Sequence, residues 1–212
     1  MIITYGITVC DEFEELELLL HHLMPLIDLD DEVIILRDIT KTNSEVTKVI
    51  NKYNSLYNAR IQTIDSKLNK DFASFKNNLI ERARGNYLFQ IDADEIPHES
   101  LIEYLKPVLA VNSNVDCFYV PRVNKVSGIT SEHIQKWGWH IDEKERINFP
   151  DLQMRIFKLN KGIKWKNKVH EVLENYEITS ILPYQEDEEF CLYHLKTIKK
   201  QEAQNKFYEV IH

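Results

Sequence analysis

ARGNYLFQIDADEIP, residues 83–97, decides how this chain is read. A largely apolar run, Tyr87-Leu88-Phe89-Gln90-Ile91, stops abruptly at Asp92-Ala93-Asp94-Glu95. A short run of this kind, bounded by Gly85 on one side and a polar cluster on the other, fits a strand buried on both faces. Three carboxylates within four residues repel one another, so their crowding at a strand end points to a cation. A pair at i and i+2 after a rigid strand suits a hard divalent ion, Mg²⁺ or Mn²⁺, with coordination positions left for substrate phosphates.

Upstream of this stretch the pattern alternates. Residues 2–9 are rich in β-branched side chains and read as a strand. Asp11 opens an amphipathic helix with Leu16, Leu19, Leu20 and Leu23 on one face, and Pro25 marks its end. Residues 32–36 form a second strand running into Arg37-Asp38, residues 44–57 a helix, and residues 60–64 a third strand. Asp71 is a good N-cap for a helix carrying Phe72, Phe75, Leu79 and Ala83 on one face, with Gly85 as its stop. Strand and helix in alternation predict an α/β domain with a mostly parallel sheet and helices on both faces.

Downstream the pattern changes. Residues 97–109 read as a helix, 116–123 as a strand, and 127–148 as a polar, aromatic-rich loop holding Trp137-Gly138-Trp139-His140. Residues 153–159 and 163–166 read as antiparallel partners around Asn160-Lys161-Gly162. A late strand is expected at 190–194 and a helix from residue 201.

Composition narrows the function classes. The 212 residues are 43% apolar, enough for a full core, and carry a net charge of −8. That balance argues against nucleic acid as the main ligand, because phosphate binding normally leaves a basic face. Cys10, Cys117 and Cys191 are scattered, odd in number and outside metal-ligand spacing, so they read as free thiols in a reducing compartment. No apolar window is long enough to span a bilayer, and the first residues lack a signal-peptide layout; a soluble, cytoplasmic protein is expected.

Ligands of open α/β sheets bind outside the carboxyl ends of the strands. Those ends carry Asp11 and Glu12, then Asp38, then Asp92 and Asp94. Asp11 and Glu12 also suit the first turn of a helix, where acidic residues complement the dipole. Two rival uses of the cluster fit less well. For a calcium loop of the EF-hand type, Asp92, Asp94 and Glu103 match the first, third and last ligand positions, but Ile96 and Pro97 stand where an oxygen ligand and the glycine belong. An aspartate-nucleophile phosphatase would want Thr or Val where Ile96 stands.

The segments resemble the family-2-type glycosyltransferases of the GT-A fold. Val9-Cys10-Asp11-Glu12 resembles their opening, and Leu36-Arg37-Asp38 their second-strand aspartate. Lys76-Asn77, Ala83-Arg84-Gly85-Asn86-Tyr87 and Asp92-Ala93-Asp94 together resemble their Arg-Asn, Ala-x-Gly-x-Tyr and Asp-x-Asp run. The second half resembles a lipopolysaccharide-core glucosyltransferase subgroup through residues 150–157, Trp165 and Val169-His170-Glu171-Val172-Leu173.

This resemblance, which covers most of residues 1–195, implies a Rossmann-like GT-A domain over residues 1–212. Residues 1–110 would bind the nucleotide sugar and 111–195 would form the acceptor side. A helix over 196–212 would lead to a further domain. The implied activity is a metal-dependent hexosyl transfer from a nucleotide sugar, most often a UDP-sugar, to a glycan or glycoprotein acceptor.

The resemblance also implies the roles. Asp38 would meet the uracil or ribose, with Asp11 and Glu12 near the nucleotide. Asp92 would face the ribose or a metal-bound water, and Asp94 would bind the metal. Lys76 stands where the family usually has Arg; it meets a phosphate as a point charge without the bidentate fork. His194 is the candidate third metal ligand. Glu171 is the preferred general base and Asp151 the alternative. His170 is assigned to the acceptor side, within reach of donor or metal. Trp137 and Trp139, in a Gly-containing polar loop, are read as sugar-stacking faces, and Trp165 as a packing residue. Arg155 either serves the site or pairs with a carboxylate. A nucleotidyltransferase would use the same carboxylates, but it would place a Gly-rich, Arg-containing loop where Cys10-Asp11-Glu12-Phe13 stands. A non-catalytic sugar-binding module would bind donor without turnover.

Overall fold

The computed structural model describes residues 1–41, 44–185 and 187–211, with side chains through residue 206. Strands β1 (Ile3–Val9), β2 (Glu32–Asp38), β3 (Ile61–Ser66) and β4 (Tyr87–Asp92) alternate with α1 (Phe13–Leu23), α2 (Ser44–Leu56) and α3 (Phe72–Arg82). A short β5 (Glu95–Pro97) leads to α4 (Glu99–Val111) and the long β6 (Cys117–Ser127). Then come α5 (Ser131–Trp137), β7 (Ile147–Lys158), β8 (Lys164–Lys166), β9 (Val172–Glu174), β10 (Thr179–Ile181), β11 (Leu192–Thr197) and α6 (Ile198–Ile211).

Nine strands form one mixed sheet in the order β3-β2-β1-β4-β7-β6-β11-β5, with β10 also on β6. β1 to β4 are mutually parallel where they pair. β7 runs antiparallel between β4 and β6, and β11 runs parallel to β6.

Side-chain alternation along these strands builds two cores. Ile3, Tyr5, Ile7 and Val9 of β1 pack with Leu16, Leu19, Leu20 and Leu23 of α1, with α2, and with Leu101, Ile102, Leu105 and Leu109 of α4. On the opposite face Ile34, Leu36 and Leu88 pack with Ala73, Phe75 and Leu79 of α3 and with Trp165. Gly6 makes this second face possible, because a Cβ there would sit 2.9 Å from Leu88 Cδ1 and 3.2 Å from Leu79 Cδ1. Each fully buried aliphatic side chain stabilises the fold by about 1.5–3 kcal/mol relative to exposure.

Several expectations change here. Asp71 does cap α3, accepting from Ser74 N at 2.9 Å. Gly85 does not stop that helix; it allows close approach to β1, since a Cβ would lie 2.7 Å from Thr4 Oγ1. The expected pairing of 153–159 with 163–166 does not form. Both edges of β7 are taken by β4 and β6, so the chain leaves the sheet after residue 158. The small antiparallel hairpin is instead β8 with β9, Trp165 opposite Leu173. The expected loop over 127–148 contains α5, which Thr130 and His133 close with a reciprocal capping box. Among the described residues, no helix is long and apolar enough to cross a membrane.

Candidate active site

Parallel pairing puts the carboxyl ends of β1, β2 and β4 on one rim, beside the point where the chain from β1 goes on to β2 and the chain from β4 goes on toward β6, at opposite edges of the sheet. β6 and β11 run in the same sense as β4, and β7 runs against them, so the ends of the first two and the beginning of the third reach that rim. There they line a cavity of about 790 Å³. Register sets Thr8 beside Asp92, Arg122 beside Asp151 and Asn124 beside His194.

The floor of the cavity is a closed ionic network. Asp92 accepts from the Thr8 hydroxyl at 2.5 Å and from Arg155 Nη2 at 2.6 Å. The same Arg155 nitrogen donates to Glu95 Oε1 at 2.6 Å, and Arg122 Nη1 donates to that oxygen at 2.8 Å. Glu95 is fully buried, and its other oxygen accepts from Asp92 N at 3.1 Å. Arg122 also bonds Asp151 Oδ2 at 2.8 and 2.6 Å, where Asn124 adds a third donor at 2.8 Å. Burial alone would raise the pKa of Asp92. The positive charges of Arg155 and Lys76, with the Thr8 hydrogen bond, outweigh it and hold the carboxyl well below the usual range.

Two simpler pairs stand on the walls. Asp94 Oδ2 lies 3.1 Å from His194 Nε2 and 3.4 Å from Lys196 Nζ. Burial raises the Asp94 pKa, but the His194 hydrogen bond and the charges of His194 and Lys196 bring it below normal. His194 Nδ1 is 2.7 Å from Asn124 Oδ1. The His194 Nε2 and Asp94 Oδ2 share a proton, and a divalent ion in its place would meet the Nε2 lone pair and that carboxylate oxygen. Their 3.1 Å separation suits two adjacent ligands of an ion with bonds of about 2.1 Å. A carboxylate and an imidazole therefore fit Mg²⁺ or Mn²⁺ with most positions left to substrate oxygens. Among the described residues, no cluster of three or more His, Cys, Asp or Glu side chains adds further ligands.

On the other wall Lys76 Nζ donates to Glu171 Oε1 at 2.5 Å. Both side chains are largely buried, and the ammonium lies 5.0 Å from the centre of the Trp165 ring. Asp38 is buried, and its Oδ1 accepts from Thr40 N, Thr40 Oγ1 and Leu68 N. Glu12 folds back to accept from Cys10 N and Asp11 N. Burial, with Asp38, Asp11 and Glu12 nearby, pushes the Cys10 thiol up to about 12, so it is not a nucleophile at neutral pH.

The cavity thus gathers Glu12, Asp38, Lys76, Asp92, Asp94, Asp151, His170, Glu171, His194 and Trp139. Three expected residues lie elsewhere. Asp11 is exposed and pairs with Lys41 at 3.2 Å. Asn77 bonds both the N and the O of Trp165, at 2.8 and 2.9 Å, which ties α3 to β8 rather than to a ligand. Trp137, stacked on His133 and tilted against Trp139, is outside the cavity lining. Arg155 pairs with carboxylates, and Trp165 is buried with its indole N–H on Gln90 Oε1 at 2.8 Å. Sequence reading counted Glu95 in the acidic cluster without giving it a role, and missed Arg122, Asn124 and Lys196. A charge inside the apolar run Val120-Pro121-Arg122-Val123 was the one available signal.

An open, largely parallel sheet whose carboxyl rim holds an acidic cleft studded with cations is an α/β domain of the GT-A type. The chain belongs to glycosyl transferase family 2, whose sequence profile matches residues 4–165. No curated protein matches it. The crystal structure of S. aureus TarS 1-349 superimposes with a TM-score of 0.61 at 13% identity, over 99% of this chain and 63% of that one. TarS 1-349 in complex with UDP-GlcNAc gives 0.60 at 13% identity, over 92% and 59%. The chain therefore spans less than two thirds of the length of these TarS structures. At this identity the likeness is one of fold.

Proposed function

We propose that this domain is a metal-dependent hexosyltransferase that moves a sugar from a UDP-sugar to a glycan or glycoprotein acceptor. The observation that carries the reading is the convergence of Asp94–His194 and Lys76–Glu171 on one cavity beside Asp38. Family membership supports glycosyl transfer, and the UDP-GlcNAc in the TarS complex supports a UDP-sugar. The donor is held by residues 1–110 and the acceptor by 111–195. Three free thiols support a cytoplasmic setting.

Asp94 and His194 would hold Mg²⁺ or Mn²⁺, which when bound supplies positive charge to the departing diphosphate. Asp38 and Glu12 face the nucleoside, and Asp92 the ribose. Lys76 meets a phosphate oxygen. The acceptor hydroxyl attacks the anomeric carbon, the bond from that carbon to the phosphate oxygen breaks, and Glu171 takes the hydroxyl proton. Because Lys76 now holds Glu171, the incoming diphosphate frees the base by taking its partner. Asp151 is the poorer base. Burial would raise its pKa, but Arg122, Asn124 and Gln153 together bring it below normal and occupy both oxygens. His170 and Trp139, both on the cavity lining, face the acceptor.

A calorimetric screen of UDP, GDP and UDP-sugars, each with Mn²⁺ and with chelator, tests this. Metal-dependent binding of UDP is the expected result. Asp94→Asn should weaken that binding by about a hundredfold without changing the fold. Should no nucleotide bind the wild type, the carboxylates serve a metal for phosphate hydrolysis instead.

A further inference from the structure

Among the described residues, four Lys and Arg side chains line the cavity, and they are bound very differently. Arg122 and Arg155 are each shared between two carboxylates of the floor. Lys196 has a single carboxylate partner among the ion pairs of the described residues, Asp94 at 3.4 Å. Its side chain is only 9% exposed. Its remaining anchor is Gln204 Oε1 of α6 at 2.8 Å, and Gln201 and Gln204 themselves line the cavity. The ammonium therefore stands against the carboxylate that the proposed function gives to a divalent ion.

Two cations cannot share Asp94 at little cost, because like charges at such distances repel strongly where water is scarce. An arriving divalent ion must displace Lys196. Gln204 keeps the displaced ammonium inside the cavity, and the anion that arrives with the metal is the donor diphosphate. We infer that Lys196 is an exchangeable cation: it holds Asp94 while the site is empty and moves to a diphosphate oxygen when metal and donor bind. Lys76 on the opposite wall behaves in parallel, leaving Glu171 for the same ligand. The inference rests on the donor-site assignment and adds a group that its metal and base residues do not include.

Opposite signs in two binding constants test it. Lys196→Met keeps length but loses charge. Without nucleotide it should bind Mn²⁺ about fivefold to tenfold more tightly than wild type, because the competing cation is gone. With saturating Mn²⁺ it should bind UDP about tenfold more weakly, because a phosphate partner is gone. Lys196→Arg should retain most of the UDP affinity, which a purely structural lysine would not require. Lys196→Gln serves the same comparison if the Met variant does not fold. Unchanged Mn²⁺ affinity, or unchanged UDP affinity, in the neutral variants overturns the inference. Failure of the wild type to bind UDP with Mn²⁺ overturns the donor site as well, so the two failures are separable.

Discussion

The floor and the walls of the cavity use the same residue types to opposite ends. On the floor Asp92, Glu95 and Asp151 share Arg122 and Arg155, so each charge has several partners and no member can leave without stranding another. On the walls Lys76 meets Glu171 alone among the described ion pairs, and Asp94 meets His194 and Lys196, all on the cavity lining. A network of that kind stores rigidity; a smaller group can trade a partner for a ligand. The residues assigned to chemistry sit in the smaller groups, and those that hold the strands in place sit in the network.

Breaking a wall should cost activity and leave the fold alone. Glu171→Gln keeps the shape of the side chain and loses the base. Turnover should fall by about 10²–10⁴-fold while thermal stability stays near wild type and UDP binds no more weakly, because the carboxylate that competes for Lys76 is gone. A comparable fall in thermal stability would show that Glu171 belongs to the scaffold and would blur the contrast.

Breaking the floor should do the reverse. Arg155→Met leaves Asp92 and Glu95 facing each other without their shared cation. Removing one member of a buried ionic set costs about 3–5 kcal/mol. Urea unfolding should show that loss even in the absence of any ligand. A stable variant defective only in donor binding would move Arg155 from floor to wall.

Another buried acid, outside the cavity lining, sharpens the point. Asp116 accepts from Glu177 N at 3.1 Å, Ile178 N at 3.3 Å and Lys158 Nζ at 3.2 Å. Burial would raise its pKa, but these hydrogen bonds bring it below the usual value. Its ionisation therefore stabilises the fold above the unfolded-state pKa of about 3.9, and that contribution is lost as pH falls through the lower folded value. Asp116→Asn should cost about 1–3 kcal/mol near neutral pH. The variant should also lose less stability than wild type on acidification from about pH 5 to pH 3. Parallel pH profiles for the two proteins would remove Asp116 from the acid response.

The smallest effect is expected at the wall proposed to meet the acceptor. Trp139 lines the cavity and Trp137 does not. Trp139→Ala should raise the acceptor KM by about fivefold to tenfold, the scale of one lost aromatic contact, with kcat and stability little changed. An equal effect from Trp137→Ala would place the whole stacked pair in contact with acceptor.

Much of the first half is legible in the order of its residues. Residues 87–95 announce a buried strand ending in carboxylates, and the leucines of α1 and the Asp71 cap of α3 are readable from local spacing alone. Parallel strands and their helices obey short-range periodicity, so sequence neighbours predict spatial ones. The second half is harder. Local pattern assigns β8 the wrong partner, because no local signal tells a strand that both edges of β7 are already occupied. Asn77 reads as a ligand residue and proves a clamp on Trp165, since an amide satisfies a backbone as readily as a substrate.

By itself the sequence determined the alternating α/β order, the rim on which Asp38, Asp92 and Asp94 gather, and the family. Only the tertiary structure decided which charges are bound to which. Arg122 lies 27 residues from Glu95, Lys76 95 from Glu171, and Asp94 100 from His194. Ion pairing depends on distance in space and on exclusion of water, and neither is written in the spacing of residues along the chain.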